Sequence, residues 1–187
     1  MERRTPTFRC ITHITPHREP PPDELFVFEP DAHDINTLTG GVVGDVVAGR
    51  HMTFVLAAFG REYVTDDEVP LMDVIWDLPR LTDAFDAGEP GEIDLVFHNQ
   101  GGLILTLHFV MAGDDVIVTG KNPSRELIPW RVTPPPERLR RADLASELRQ
   151  VARDVLTVGA HIGSELVTHP MVTAWAERVK VLTTDNV

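Results

Sequence analysis

Thiol, imidazole, hydroxyl and carboxylate are the groups in this chain that could do chemistry, and their spacing separates them more than it gathers them. Cys10 and His13 stand three residues apart. In an extended strand that spacing sends the two side chains to opposite faces, so no thiolate–imidazole pair is expected. His33-Asp34 has the residue types for half of a metal site, but no second half stands at a recognisable spacing. The densest gathering is His161, Ser164, Glu165 and His169. It falls between two helical stretches, where Ser and Thr serve as helix caps. Asp154 and Glu165 are candidates for a carboxylate pair, but any acidic chain offers such pairs by chance. There is no Gly-x-Ser-x-Gly elbow. Gly40-Gly41-Val42-Val43-Gly44 lacks the Lys-Ser/Thr of a phosphate loop. The expectation is no catalytic residue, no metal and no cofactor, with the balance against an enzyme.

The elements that would position any site are clearest between Ile93 and Thr119. Ile93, Leu95, Phe97, Leu103, Leu105, Leu107, Phe109 and Met111 occupy alternate positions. A strand puts alternate side chains on one face, so they form a single apolar wall. Two hairpins fit this pattern. One pairs Phe97 with Leu103 around Asn99-Gln100-Gly101, with Gly101 in the left-handed conformation. The other turns at Gly113-Asp114 and sets Met111 beside Val116 and Phe109 beside Val118. That register places His108 opposite Glu92, an ordinary cross-strand pair, and leaves His98 at the other end of the ladder.

Elsewhere the pattern predicts strands at Phe8–Ile14, Leu25–Phe28, Val42–Val47 and Met52–Ala58, then a turn and a short strand within Phe59–Val64, with Trp130–Val132 one more strand or an extended pass. Residues 31–40 read as a loop. Thr65-Asp66-Asp67-Glu68 reads as a capping box opening a helix. Leu71, Ile75, Leu78, Leu81 and Phe85 line one side of it, and Pro79 is expected to kink or split it. Thr133-Pro134-Pro135-Pro136 reads as a stiff connector. Beyond it a helix is expected from Glu137 to about Leu156, buried through Leu144, Leu148, Val151 and Val155. A break at Gly159–Gly163 follows, then a last helix capped by Thr168 with Pro170 in its first turn. The fold class expected is α+β: one antiparallel sheet of about six strands, with one mid-chain helix and two C-terminal helices packed on it. The whole is read as a single domain, residues 1–133 sheet-rich and 134–187 helical.

Composition narrows the function classes. The chain has 187 residues, a single cysteine and a net charge of −12. No internal disulfide can form, and no run of about 18 apolar residues suggests a membrane span. The start, MERRTPTFRC, has no apolar signal core. A cytoplasmic location is expected. Strong negative charge disfavours nucleic acid, which is held by cationic side chains, and favours basic partners. The charge is also laid out in blocks. Residues 66–94 hold ten acidic side chains against Arg80 alone, whereas residues 121–153 hold eight basic against four acidic. The acidic block supplies the expected partner-binding residues: Asp66, Asp67, Glu68, Asp73, Asp77 and Asp83. Whether Trp76, Trp130 and Trp175 are covered matters equally, because an uncovered tryptophan is a typical interface anchor.

One organisation stands out over residues 42–119. Phe54-Val55-Leu56 leads to Glu62-Tyr63-Val64, then the acidic Thr65-Asp66-Asp67-Glu68, then Val69-Pro70-Leu71-Met72-Asp73-Val74-Ile75-Trp76, then a meander with a Gly-Asp-Asp turn. It resembles small acidic immunity-type proteins of bacterial, especially actinobacterial, toxin–immunity systems. The resemblance implies a protein that binds a cognate toxin and catalyses nothing. The expected function is therefore a non-enzymatic binding protein that sequesters a basic partner protein. Two other readings stay open: an enzyme or small-molecule binder with a pocket between sheet and C-terminal helices, and a structural subunit of a larger assembly. Homo-oligomerisation is left undetermined.

Overall fold

The computed structural model describes residues 8–14, 34–48, 52–65, 68–98, 102–121 and 135–181. The elements run β1 (Arg9–Ile14), α1 (Ile35–Ala48), β2 (Met52–Ala58), β3 (Arg61–Thr65), α2 (Glu68–Ala87), β4 (Gly91–Phe97), β5 (Leu103–Ala112), β6 (Asp115–Lys121), β7 (Glu137–Arg140), α3 (Arg141–His161), a 3₁₀ turn (Glu165–Thr168) and α4 (Pro170–Arg178). The α+β class with antiparallel strands is as expected. The strands, however, divide into two sheets, ordered β1-β2-β3 and β4-β5-β6-β7, instead of one sheet of about six. The twenty-residue α2 stands between β3 and β4 in the chain. One of its side chains, Asp73, accepts the Val96 N–H of β4 at 2.9 Å, which ties α2 to that strand.

The apolar wall forms in the register its alternation requires. Phe97 pairs with Leu103, Phe109 with Val118 and Met111 with Val116. Phe97, Leu105, Phe109 and Val118 are all fully buried. Gly113 takes φ +68°, the left-handed conformation its turn demands. In the other hairpin Gly102 takes a positive φ, +74°, and Gly101, expected to do so, is not among the described residues. Residues 99–101 lie outside the described residues, as do the strands expected at Leu25–Phe28 and Trp130–Val132.

Residues 35–48 correct the reading most. The expected loop and strand, Val42–Val47 included, form the helix α1. Glycine and β-branched residues are weak helix formers, which is why the segment reads otherwise. Yet Leu38, Val42, Val43 and Val46 recur at helical spacing, and each is at most 1% exposed. Burial on several sides outweighs propensity. Asp34 supplies the cap, accepting the N–H groups of Asn36 at 3.3 Å and Thr37 at 3.2 Å. These bonds, that of Asn36 first, hold its carboxyl below the usual carboxylate range.

Three smaller corrections lie near the helices. α2 runs unbroken through Pro79. The segment Glu137–Arg140 is a strand, paired with β6 through Val118↔Glu137, and the helix begins only at Arg141. Its buried stripe is the expected one. Gly159 lies inside that helix instead of ending it. A Cβ there would meet Val42 and Val167 methyls at 2.9 Å, so glycine is what lets α3 approach α1. The last helix is capped by His169, whose Nδ1 accepts Met171 N–H at 3.2 Å, and not by Thr168. Buried residues from Phe8 to Val181 join in one apolar cluster. Among the described residues no helix is long and apolar enough to cross a membrane.

Candidate functional site

α2 is two-sided because its apolar residues recur every three or four positions. Leu71, Val74, Ile75, Leu78, Leu81 and Phe85 face the interior. At about 100° per residue the opposite side is centred near Trp76 and Asp83, with Asp73, Asp77 and Arg80 beside them. Trp76 is 41% exposed, whereas Trp175 is 7% exposed and inside; Trp130 lies outside the described residues. The indole N–H of Trp76 donates to the Asn36 carbonyl at 3.0 Å. Its ring lies over Gly40, where a Cβ would stand 3.3 Å from it. The first turn of α1 therefore holds the ring, and the rest of it stays in water. A signal for Trp76 exists in the sequence: it sits among Asp73, Asp77 and Arg80, off the apolar stripe.

Three of the expected carboxylates share this side in different states. Asp73 is half-buried, and burial raises its carboxyl to about 6. Asp77 and Asp94 push the same way, while the Val96 N–H and His98 oppose them. Asp77 meets Arg80 at 3.0 Å, and Arg80 also donates to the Glu92 carbonyl. Asp83 meets Arg178 at 2.7 Å, and next to it Asp86 meets Lys180 at 2.6 Å. Glu68 is exposed in the first turn, where the helix dipole favours a negative charge. Asp66 and Asp67 lie outside the described residues; of the expected capping box, Thr65 is the last residue of β3 and Glu68 the first of α2.

The groups picked out for chemistry have structural tasks. Cys10 is buried, and burial, with Glu147 adding to it, pushes its thiol well above the usual range; a thiol that stays protonated is a poor nucleophile. Ser164 donates to Asp45 at 2.5 Å in the interior, joining the start of the 3₁₀ turn to α1. Asp154 accepts from Thr12 and from Gln150, the latter at 2.7 Å. His108 Nδ1 stands 3.2 Å from Glu92, the cross-strand pair the register requires. Asp34 serves as the α1 cap, and His33 lies outside the described residues. Among the described residues no three His, Cys, Asp or Glu side chains are grouped to hold a metal.

Between α1, α2, α3 and α4, the gap bounded by Thr39, Val42, Ile75, Val155 and Trp175 has a volume of about 0 Å³ for water. Grooves open at the surface among the described residues. One of about 360 Å³ passes Arg80, Glu92 and His108, and one of about 260 Å³ lies between β1 and α3. Comparison with protein-family models, curated proteins and solved structures finds no match to this chain.

Proposed function

We propose that this chain is a non-catalytic binding protein that takes up a basic partner protein on the outer side of α2, with a toxin of a toxin–immunity pair as the first partner to test. The observation that carries the reading is Trp76, a large aromatic left 41% exposed among carboxylates. Aromatic rings ringed by polar groups are where binding energy concentrates in protein interfaces. The surrounding charge selects for cationic surfaces and speeds encounter. The ion pairs of Asp77 and Asp83 do not obstruct this. Exposed pairs contribute about 0–1 kcal/mol each, so a partner's arginine or lysine can replace Arg80 or Arg178 at little cost. Asp73 contributes less, since its carboxylate is turned to Val96.

The test is capture from lysate of the source organism by three immobilised proteins: the native chain, Trp76→Ala, and a double charge reversal, Asp77→Lys with Asp83→Lys. The reading expects a basic protein retained by the native chain and weakened at least tenfold by each variant. Retention indifferent to both variants overturns it.

A further inference from the structure

The four-stranded sheet has two unlike sides. Ile93, Leu105, Phe109 and Val118 line the inner one and are buried. The Phe85 ring of α2 stands 5.9 Å from that of Phe109, and the Phe59 ring lies over Gly120. The alternate positions form the outer side. Across the ladder Val110 stands beside Ile117, His108 between Glu92 and Thr119, and Thr106 between Asp94 and Lys121. Val110 is 51% exposed, and Glu92, Asp94, Lys121 and Arg138 are exposed around it.

The charge on this side is balanced and sorted. Its strand positions carry three carboxylates, Glu92, Asp94 and Asp115, and three cations, Lys121, Arg138 and Arg140. It is therefore close to neutral on a chain of net charge −12. Glu92 and Asp94 both lie on β4, at one edge of the sheet. Arg138 and Arg140 lie on β7, at the other edge, with Lys121 on the adjoining β6. Asp115 meets Arg138 at 2.8 Å and offsets one of these cations. The face thus runs from two negative charges at β4 to a net two positive at β6 and β7. Between them lies the apolar pair of Val110 and Ile117.

We propose that a second copy of this chain docks here, sheet against sheet, about a two-fold axis that runs parallel to the strands between β5 and β6. That axis exchanges the two edges, so the acidic β4 of each copy lies over the basic β7 of the other. The sheets stand about 10 Å apart with their strands within about 30° of one another. Val110 of one copy meets Ile117 of the second, Asp94 faces Lys121, and Glu92 faces Arg138. Each of these contacts occurs twice, as a two-fold axis requires. The negative excess of the whole chain opposes this only weakly. α2, with its block of carboxylates, packs on the inner side, and charges farther apart than about 8 Å are screened at physiological salt. A basic protein fits worse, because Lys121, Arg138 and Arg140 repel it. Four strands about 4.8 Å apart and about seven residues long give a flat area of about 450 Å² on each copy, which suits a weak, reversible dimer. The proposal does not depend on the outer side of α2.

Sedimentation equilibrium of the full chain, over about a hundredfold range of concentration, is the test. The expected result is a reversible dimer. Val110→Lys should weaken it at least tenfold while keeping the circular dichroism and the unfolding midpoint of the native chain. Asp94→Lys and Lys121→Asp should each weaken it severalfold. An equimolar mixture of those two variants should regain the native affinity, because both contacts across the axis then join opposite charges. A chain that stays monomeric, a dimer indifferent to Val110→Lys, or a mixture no tighter than its components overturns the proposal. A chain that stays monomeric but loses capture of a basic protein on Val110→Lys assigns this face to that partner, which also overturns it. Should Val110→Lys fail to fold, the mixture alone decides.

Discussion

α1 and α2 pack against each other, yet they use the same residue types in opposite ways. α1 is buried on several sides, and its one carboxylate within the helix, Asp45, is 2% exposed and bonded to Ser164. α2 buries a single stripe and turns its carboxylates outward or to the rim. A carboxylate kept inside must be bonded, because leaving it unpaired away from water is costly. The carboxylates of α2 are held by exposed pairs that exchange easily. α1 is therefore the hub on which the helices assemble, and α2 is the face the molecule presents. The same division explains Trp76: its N–H is anchored on α1 while much of its ring belongs to the surface of α2.

Four substitutions sharpen or break this contrast. Leu38→Ala on α1 should have the largest effect, a loss of about 2–5 kcal/mol in chemical denaturation, as for other fully buried leucines. A loss well under 1 kcal/mol would show that α1 is not the hub. Gly159→Ala should come next, at about 1–3 kcal/mol, because the added methyl meets Val42 and Val167 at 2.9 Å. A neutral result would mean that α3 can move away from α1 freely.

Asp73→Asn tests the rim of α2 through pH. The Asp73 carboxyl is raised from 3.8 to about 6 in the fold, so its stabilising contribution is complete below about pH 4 and is lost as pH rises through 6. Asparagine keeps an acceptor for the Val96 N–H without the charge. After allowance for solvent screening of a half-buried group, the variant should be more stable than the native chain by about 1 kcal/mol at pH 7.5, and equal to it near pH 4. A gain that does not change between these pH values would refute the titration. Arg178→Ala should have the smallest effect, below about 0.5 kcal/mol, since its pair with Asp83 is exposed on both sides. A loss above 1 kcal/mol would show the acidic side to be a structural network, and it would weaken the case for exchange with a partner.

The legibility of each region follows the range of the forces that shape it. The ladder from Gly91 to Lys121 was open to reading because strand alternation and two turn glycines are local, and they agree on one register. The inner stripes of α2 and α3 were open for the same reason. The start of α3 was not, since Glu137–Arg140 suits a helix until β6 offers it a ladder and Phe59 N–H offers Glu137 a bond at 2.6 Å. Of the candidate site, the acidic side of α2 could be read from charge and period. The diversion of Asp73 to Val96, the pairs with Arg178 and Lys180, and the anchoring of Trp76 on Asn36 join residues from about 20 to about 95 positions apart, and no local pattern records them.

The sequence by itself determined which residues are apolar at period two or near four, hence most strands, the helices α2, α3 and α4, and the sign of the surface charge. Tertiary structure alone decided that residues 35–48 are helical, that the strands divide into two sheets, and which carboxylates are occupied. The physical reason is that weak helix formers and edge strands have no strong local preference. Their state is set by what covers them, and the cover comes from distant parts of the chain.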